Sequence, residues 1–314
     1  MELKQVVERF VKYPKQLSHG AGQLSKSWNC SIEDIYEARK IVRGTSDIIV
    51  EQVKKRLPKI LIFDIESSPS VSYTFGRFKT NVNWDQVEQE PIMLTWSAKF
   101  LYSADVMSDK ITSEEVLRAD DKRIVTSLWE LMNDCDIVIA HYGDRFDIPL
   151  LNARAILNGL PPYNTVNSID TKKVASATFK FPSNKLDALA KYFGLEGKIK
   201  TEFQLWIDCL KGIPSAIEEM RVYNVQDVIA LEEVYLKLRP YIKAHPNVSL
   251  YNDIEEKQCC TCGSNHVEEI EDKLYYTTTG AYRMYRCKCG AISRGRKTIL
   301  PKSKNINTLT SIGK

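Results

Sequence analysis

The stretch from Lys59 to Glu66, KILIFDIE, constrains the fold of this 314-residue chain more than any other. An apolar run of this kind reads as a strand buried on both faces. It closes on two carboxylates, Asp64 and Glu66, and strand side chains two apart point to the same side. Like charges so placed repel, and burying them unpaired is costly. Either a cation sits between them, or they project from the strand end into water.

At 314 residues the chain can hold one large or two modest domains. With 43% hydrophobic and 27% charged residues, it has the composition of an ordinary soluble globular protein. The amino terminus, MELKQVVERF, is charged from the start and lacks the apolar core of a signal peptide. No uninterrupted apolar run is long enough to cross a bilayer. The expectation is a cytoplasmic protein with no membrane partner, a nucleoid-associated or virus-infected-cell setting being variants of it. The net charge of +4 is mild but unevenly spread: from Ala281 to Lys314 there are nine Lys or Arg and no Asp or Glu. Such a tail suits a polyanion, although basic tails are often merely solvated.

Three segments follow from the pattern. Residues 1–57 read as helical, with no strand signal. Within them a helix ends near Asn29, and Ser31 can cap the next, with Asp34 three residues on as in a capping box. Leu24, Trp28, Ile32 and Ile35 would pack between the two helices of this helix-turn-helix-like unit. It can bind duplex DNA or serve as a plain packing hairpin. Its second helix carries Glu33, Asp34 and Glu37 before Arg39 and Lys40, so it has no basic cluster. Residues 58–245 form the main domain. Pro69 closes the first strand, and strands near 92–100 and 103–111 are close enough for an antiparallel meander. A helix is predicted over 121–133, a strand over 136–141, and helices over 148–158, 184–193 and from Pro214 to about Lys243. Strands first, then alternating strands and helices, indicate a mixed-sheet α/β domain. Residues 250–314 make a small third unit.

Three further positions join Asp64 and Glu66. In HYGDRFD, His141 to Asp147, a strand runs into a turn at Gly143, and Asp147 starts the next helix, where the dipole favours a carboxylate in any case. In YNVQD, Tyr223 and Asp227 stand at i and i+4 on one helix face. Each signal alone is weak. Together, four carboxylates and a tyrosine suit magnesium or manganese, hard ions that prefer oxygen ligands and substrate phosphates. Two such ions about 3.5–4 Å apart can stabilise both the attacking and leaving oxygens of a phosphoryl displacement. They would also offset the repulsion between Asp64 and Glu66.

In these motifs the sequence resembles the 3′–5′ exonucleases of ribonuclease-H-like fold whose active site is four acids plus a tyrosine, the DEDDy type. It is similar above all to the proofreading exonuclease domain of family B DNA polymerases and its stand-alone relatives. FDIE supplies Asp64 and Glu66, HYGDRFD supplies Asp147, and YNVQD supplies Tyr223 and Asp227, in the family's order. The resemblance spans about residues 58–240, including Ser183-Asn184-Lys185-Leu186. His141 stands where the family often has asparagine. Imidazole and amide can both hydrogen-bond a nucleic-acid substrate; the plainer reading is an ordinary histidine at a strand end.

The resemblance implies a ribonuclease-H-like mixed sheet flanked by helices, and two magnesium or manganese ions in the active site. Asp64 would bridge both ions, with Glu66 and Asp227 completing their shells. Asp147 would bind directly or through water, and Tyr223 would orient the attacking water. The implied product is a nucleoside 5′-monophosphate released from a 3′ end of DNA or RNA. Implied partners are single-stranded DNA or the 3′ ends of duplex DNA, with a polymerase or other replication and repair proteins acting in trans.

Five of the eight cysteines fall between Cys259 and Cys289. Without a secretory signal, this clustering favours metal over disulfides. Cys259 and Cys262, then Cys287 and Cys289, offer four thiolates in two close pairs, as a tetrahedral structural zinc site requires. A glycine just after each pair suits the tight turn of a knuckle. One residue rather than the common two separates the second pair, so Cys260 or His266 could replace one of these ligands. Strands near 274–279 and 282–286 would turn about Gly280, and the unit resembles a zinc ribbon that needs its one zinc to fold. Arg283, Arg286, Arg294 and Arg296 lie on or beside it with Tyr282 and Tyr285 interleaved, cations for phosphates and aromatic faces for bases. A zinc-stapled lid or protein-docking module is the plainer alternative.

The sequence thus leads to a metal-dependent 3′–5′ exonuclease flanked by accessory nucleic-acid-binding segments. Two other readings stay open, a non-catalytic nucleic-acid adaptor and a structure-selective endonuclease on the same fold.

Overall fold

A computed structural model describes residues 3–13, 21–39, 41–42, 58–164, 166–195 and 201–309. The helical character expected for residues 43–57, the position of Lys40 and the end of the basic tail lie outside them. The chain divides into two compact units, Met1–Leu57 with Leu250–Glu255, and Pro58–Ser249 with Glu256–Lys314.

In the first unit, α1 (Leu3–Lys12) and α2 (Ala21–Trp28) are followed by α3, helical over residues 32–39. Val6, Phe10, Leu24, Trp28, Ile35 and Ala38 form its core. The chain leaves α2 through Asn29 at φ 51°, a left-handed exit that asparagine tolerates. Ser31 then caps α3 as expected: Asp34 N–H donates to Ser31 Oγ at 2.9 Å, and Ser31 N–H donates to Asp34 Oδ2 at 3.4 Å. Leu24, Trp28 and Ile35 are buried, but Ile32, in the opening turn of α3, stays 48% exposed. The expected four-residue contact is therefore a three-residue one.

The second unit opens with β1 (Ile60–Ser67), a short ribbon of β2 (Val71–Ser72) and β3 (Val87–Gln89), then β4 (Met93–Phe100) and β5 (Met107–Lys110). Next come α4 (Ser113–Leu117), α5 (Lys122–Asn133), β6 (Ile137–Ala140), α6 (Asp147–Leu157), β7 (Asn167–Asp170) and α7 (Thr171–Thr178). The series ends with α8 (Leu186–Tyr192), α9 (Phe203–Leu210) and α10 (Pro214–Leu238). The five-stranded sheet has the order β5-β4-β1-β6-β7. β1 is antiparallel to β4 and parallel to β6, β4 is antiparallel to β5, and β6 is parallel to β7. This is the mixed α/β sheet that the sequence pattern indicates.

β1 runs through the middle and is buried on both sides. Leu61, Phe63 and Ile65 join a core with α5, α6 and the first half of α10. Ile60 and Ile62 join a second core with α8 and the second half of α10. Burying each such side chain contributes about 1.5–3 kcal/mol. Asp64 and Glu66 continue the face of Ile60 and Ile62 past its last apolar residue. Helix α10 changes core between Tyr223 and Val228, and Asp227 lies at that crossing.

Several boundaries differ from the sequence reading, each for a local reason. β5 is shorter than 103–111, because the chain first turns at Tyr102, with φ 68°. Helix α10 stops at Leu238 rather than near Lys243, since Pro240 offers no N–H to the ladder and the chain continues as a 3-10 turn, Arg239–Tyr241. Asp121 precedes α5 but does not cap it. Instead its carboxylate takes Arg154 Nε at 2.7 Å and Arg154 Nη2 at 2.8 Å, and accepts Met93 N–H at 2.9 Å.

The carboxyl-terminal part holds three antiparallel strands, β8 (Val267–Tyr276), β9 (Ala281–Cys287) and β10 (Ile292–Arg294), and a short helix, α11 (Lys302–Ile306). The first two strands are longer than predicted, and the third was not foreseen. Val248 ties the first cysteine knuckle to the main domain: its side chain joins the core of α10, and its N–H donates to Cys260 O at 2.8 Å. Among the described residues no helix is long and apolar enough to cross a membrane.

Candidate active site and metal centre

β1 and α10 together bring three acids into one group. Asp64, Glu66 and Asp227 each offer a carboxylate oxygen, and these oxygens all lie within 4.8 Å of one another. Strand alternation aims the first two to one side. Pro214, at the start of α10, fixes the helix that delivers the third. Asn224, one helical turn before Asp227, is fully buried and donates through Nδ2 to Asp64 Oδ2 at 2.7 Å. That bond fixes the rotamer of Asp64. Asn224 was not singled out from the sequence: its i, i+3 spacing puts it on the helix face of Asp227, but an asparagine so placed is too common to mark a site.

Asp147 opens α6 and lines the same cleft of about 320 Å³ as the other three acids. It does not belong to the close group; its Oδ1 accepts the Ile65 N–H at 2.9 Å, between the two acids of β1. Burial pushes its carboxyl up to about 7, the N–H groups of Ile65 and of Asp147 itself act against that rise, and the nearby charge of Asp170 adds to it. The turn that places Asp147 needs glycine at 143, where a Cβ would stand 2.3 Å from Ala140 Cβ. Asp170 is a further acid that the sequence reading missed. It is 6% exposed, caps α7 by accepting the Lys173 N–H at 3.0 Å, and accepts the Tyr142 N–H at 3.0 Å. A capping aspartate is so common that sequence alone gave no reason to single it out.

Tyr223 is 7% exposed, packed edge-on against Trp206 with ring centroids 6.2 Å apart, one turn before Asp227. His141 lines the cleft, but its ring is held by protein partners: Nε2 donates to Asn184 O at 2.9 Å, and Nδ1 lies 2.9 Å from Thr171 Oγ1. Lys172 and Lys185 also line the cleft, placing positive charge among the carboxylates. The donor set is one of hard oxygens, three of them within reach of a common centre, and it fits magnesium or manganese.

The cysteines form a second group. Cys259, Cys262, Cys287 and Cys289 bring their sulfurs within 4.8 Å of one another. Cys260 and His266 stand apart from it, the former 3.2 Å from Ser293 Oγ and the latter, through Nδ1, 3.1 Å from Ser264 Oγ. The glycines after the two pairs, Gly263 at φ 75° and Gly290 at φ 90°, take the left-handed conformation that turns each knuckle. A hydrogen bond from Cys262 holds the Cys259 thiol well below its ordinary pKa, with the backbone N–H groups of Cys262 and Thr261 assisting. Four converging sulfurs with N–H donors behind them fit a tetrahedral zinc ion. By contrast Cys135 and Cys209 are buried in the main core, and burial pushes both thiols up to about 12.

The arginines of the ribbon divide between its faces. The pairings of β9 with its neighbours put Tyr275, Tyr282, Arg286 and Arg294 on one side, and Arg283 and Tyr285 on the other. Arg294 lies over the Tyr282 ring at 4.3 Å, whereas Arg283 donates to Glu269 at 2.7 Å. Arg296 is exposed beyond β10.

Residues 61–239, more than half of the chain, match the family model of the RNase H superfamily. The chain is 23% identical over 175 residues to a DNA polymerase III of PolC type from Ureaplasma parvum serovar 3, covering 50% of this chain and 12% of that protein. It is 27% identical over 148 residues to a DNA polymerase from Thermococcus litoralis, covering 47% of this chain and 8% of that one. It thus spans about a tenth of the length of the curated relatives it matches. Among solved structures, the family B DNA polymerase of Pyrobaculum calidifontis aligns with a TM-score of 0.45 and 17% identity, over 62% of this chain and 26% of that one. The mixed sheet, the acids at the end of its central strand and the family match lead to one assignment: the chain belongs to the RNase H superfamily.

Proposed function

We propose that residues 58–245 are a metal-dependent 3′–5′ exonuclease that hydrolyses phosphodiester bonds of DNA, with residues 1–57 and 250–314 as accessory segments. The observation that carries this reading is the close group of Asp64, Glu66 and Asp227, with Asp147 in the same cleft, inside the region matched to the RNase H superfamily. DNA is favoured as substrate because both curated relatives are named as DNA polymerases.

A pair of divalent cations on these carboxylates would acidify a bound water and stabilise the attacking and leaving oxygens of the displacement. The chain's own residues do the rest. Asp64, Glu66 and Asp227 hold the cation positions, and Asn224 keeps Asp64 in its rotamer. Asp147 completes the acidic wall, tied to β1 through Ile65. Tyr223 orients the attacking water, one turn along α10 from Asp227. Lys172 and Lys185 meet the phosphates of the strand. Water adds to phosphorus, the 3′ oxygen of the preceding nucleotide leaves and takes up a proton, and a nucleoside 5′-monophosphate separates from a strand shortened by one. In the ribbon, Cys259, Cys262, Cys287 and Cys289 hold one structural zinc, and Arg286, Arg294 and Arg296 face a nucleic-acid backbone.

Digestion of a 3′-labelled linear DNA strand with magnesium tests the reading. The label is expected to leave first, as a mononucleotide, and Asp64→Ala to abolish its release. Cleavage of a closed circular strand at a similar rate would show that no end is needed and would overturn it.

A further inference from the structure

Four aromatic rings outside the cleft stand in water on the segment that joins β1 to β4. Phe75 is 106% exposed, Phe78 92%, Trp84 84% and Tyr73 66%, and every residue from Tyr73 to Trp84 is exposed. Rings of this size are normally at least partly covered, and four left exposed on one stretch of chain point to an interaction surface. Nor is the segment loosely strung. Ser68 N–H donates to Ile92 O at 2.9 Å and Ile92 N–H donates to Ser68 Oγ at 3.0 Å, closing its base. Tyr73 N–H donates to Gln86 O at 2.9 Å, and Gln86 Nε2 returns a bond to Tyr73 O at 3.1 Å. The hydroxyls of Thr74 and Thr80 both donate to Gly76 O at 3.1 Å. The rings are therefore presented by a built turn.

Charge and position say what they face. Between Tyr73 and Trp84 the sequence has Arg77 and Lys79 and no carboxylate, so rings and cations interleave. That pattern matches a strand of bases and phosphates. The base of the loop closes at Ser68, two residues after Glu66, and the chain from Glu66 to Val71 spans at most about 18 Å. The loop therefore starts from the end of β1 that carries the acids. Tyr73 is the least exposed of the four, which leaves Phe75, Phe78 and Trp84 as the most open rings.

We propose that this loop is a stacking platform for single-stranded nucleic acid on its way into the cleft. Bases stack on Phe75, Phe78 and Trp84, and Arg77 and Lys79 take the phosphates between them. The inference rests on the exonuclease reading and adds to it the element that grips the strand outside the acids.

The test compares the wild-type chain with a Phe75→Ala, Phe78→Ala, Trp84→Ala triple variant. Affinity for a fluorescent oligothymidylate is measured by anisotropy without divalent metal, and single-turnover cleavage is measured with magnesium. The triple variant is expected to bind about ten-fold more weakly per ring, on the order of 10²–10³ in all. Its rate at saturating strand should be unchanged, because the platform holds the strand equally before and during cleavage, and so should its cleavage of a trinucleotide, which is too short to reach the platform. Arg77→Gln with Lys79→Gln should flatten the dependence of log affinity on log salt by about 0.7 per lost phosphate contact. Equal strand affinity in wild type and triple variant would overturn the inference while wild-type cleavage kept the exonuclease reading intact. A wild-type dimer that the triple variant turns into a monomer, with strand affinity unchanged, would overturn it in favour of a protein contact. A wild-type chain that neither binds nor cleaves strands would overturn both.

Discussion

At the residue scale, the close group of acids depends on a partner that is not an acid. Asn224 is fully buried and holds Asp64 by one hydrogen bond, so the carboxylate meets the cleft in a single orientation. Groups that orient a metal ligand from behind typically contribute 10–100-fold in metal affinity or activity. Asn224→Ala is therefore expected to lower cleavage by about that factor and to raise the magnesium concentration needed for half-maximal rate. A titration of rate against magnesium in the two proteins checks both effects. The acids themselves were legible in the sequence because each left a local mark: an i, i+2 pair closing an apolar strand, a helix start after Gly143, and an i, i+4 pair on a helix. Asn224 and Asp170 left none strong enough, since buried partners of this kind are defined by chain crossings far apart in sequence. The Asn224–Asp64 bond joins residues 160 positions apart.

Elements set where these side chains stand. The turn from β6 into α6 can close only because residue 143 has no Cβ. Gly143→Ala would push that turn off Ala140 and carry Asp147 with it; a shift of about 1 Å in a catalytic group can cost about 100-fold in rate. Ala140→Gly in the same chain should recover most of the loss, and steady-state cleavage by the single and double variants measures both changes. A different element depends on Asp121, which is 1% exposed and binds Arg154 on α6 and the Met93 N–H at the start of β4. Removing one member of a buried ion pair leaves the other uncompensated, at a cost of about 3–5 kcal/mol. Asp121→Ala should lose stability of that order in urea denaturation.

The sequence showed β1, β4, β6 and α5 because long apolar runs and an apolar helix stripe reveal buried elements. It did not show β7 or α7. In β7 only Ile169 and Asp170 are buried, and α7 buries only Thr171 and Ala175, too few positions to establish a period.

At the scale of the whole molecule, the cysteine knuckles are seated on the main domain. Val248 belongs to the core of α10 and pairs with Cys260, and an added Cβ on Gly290 would touch Pro240 at 3.4 Å. Metal and fold are coupled in a unit this small. Elemental analysis should find about one zinc per chain. Its removal by a chelator should raise hydrogen exchange across β8 and β9 and at the Val248 N–H, while β1 and β6 stay protected. Uniform protection after zinc loss would separate the ribbon's fold from its cysteines. The ribbon was legible from cysteine spacing and glycines alone. Its third strand was not, because three residues, Ile292 to Arg294, are too few to signal alternation.

The proposed cleavage depends on cations held between β1 and α10. Crystals grown with manganese and a short DNA strand, measured for anomalous scattering, address that directly. The expected result is two peaks among the carboxylates of Asp64, Glu66, Asp147 and Asp227, both absent in Asp64→Asn. Manganese found elsewhere, with these carboxylates bare beside a bound strand, would contradict it.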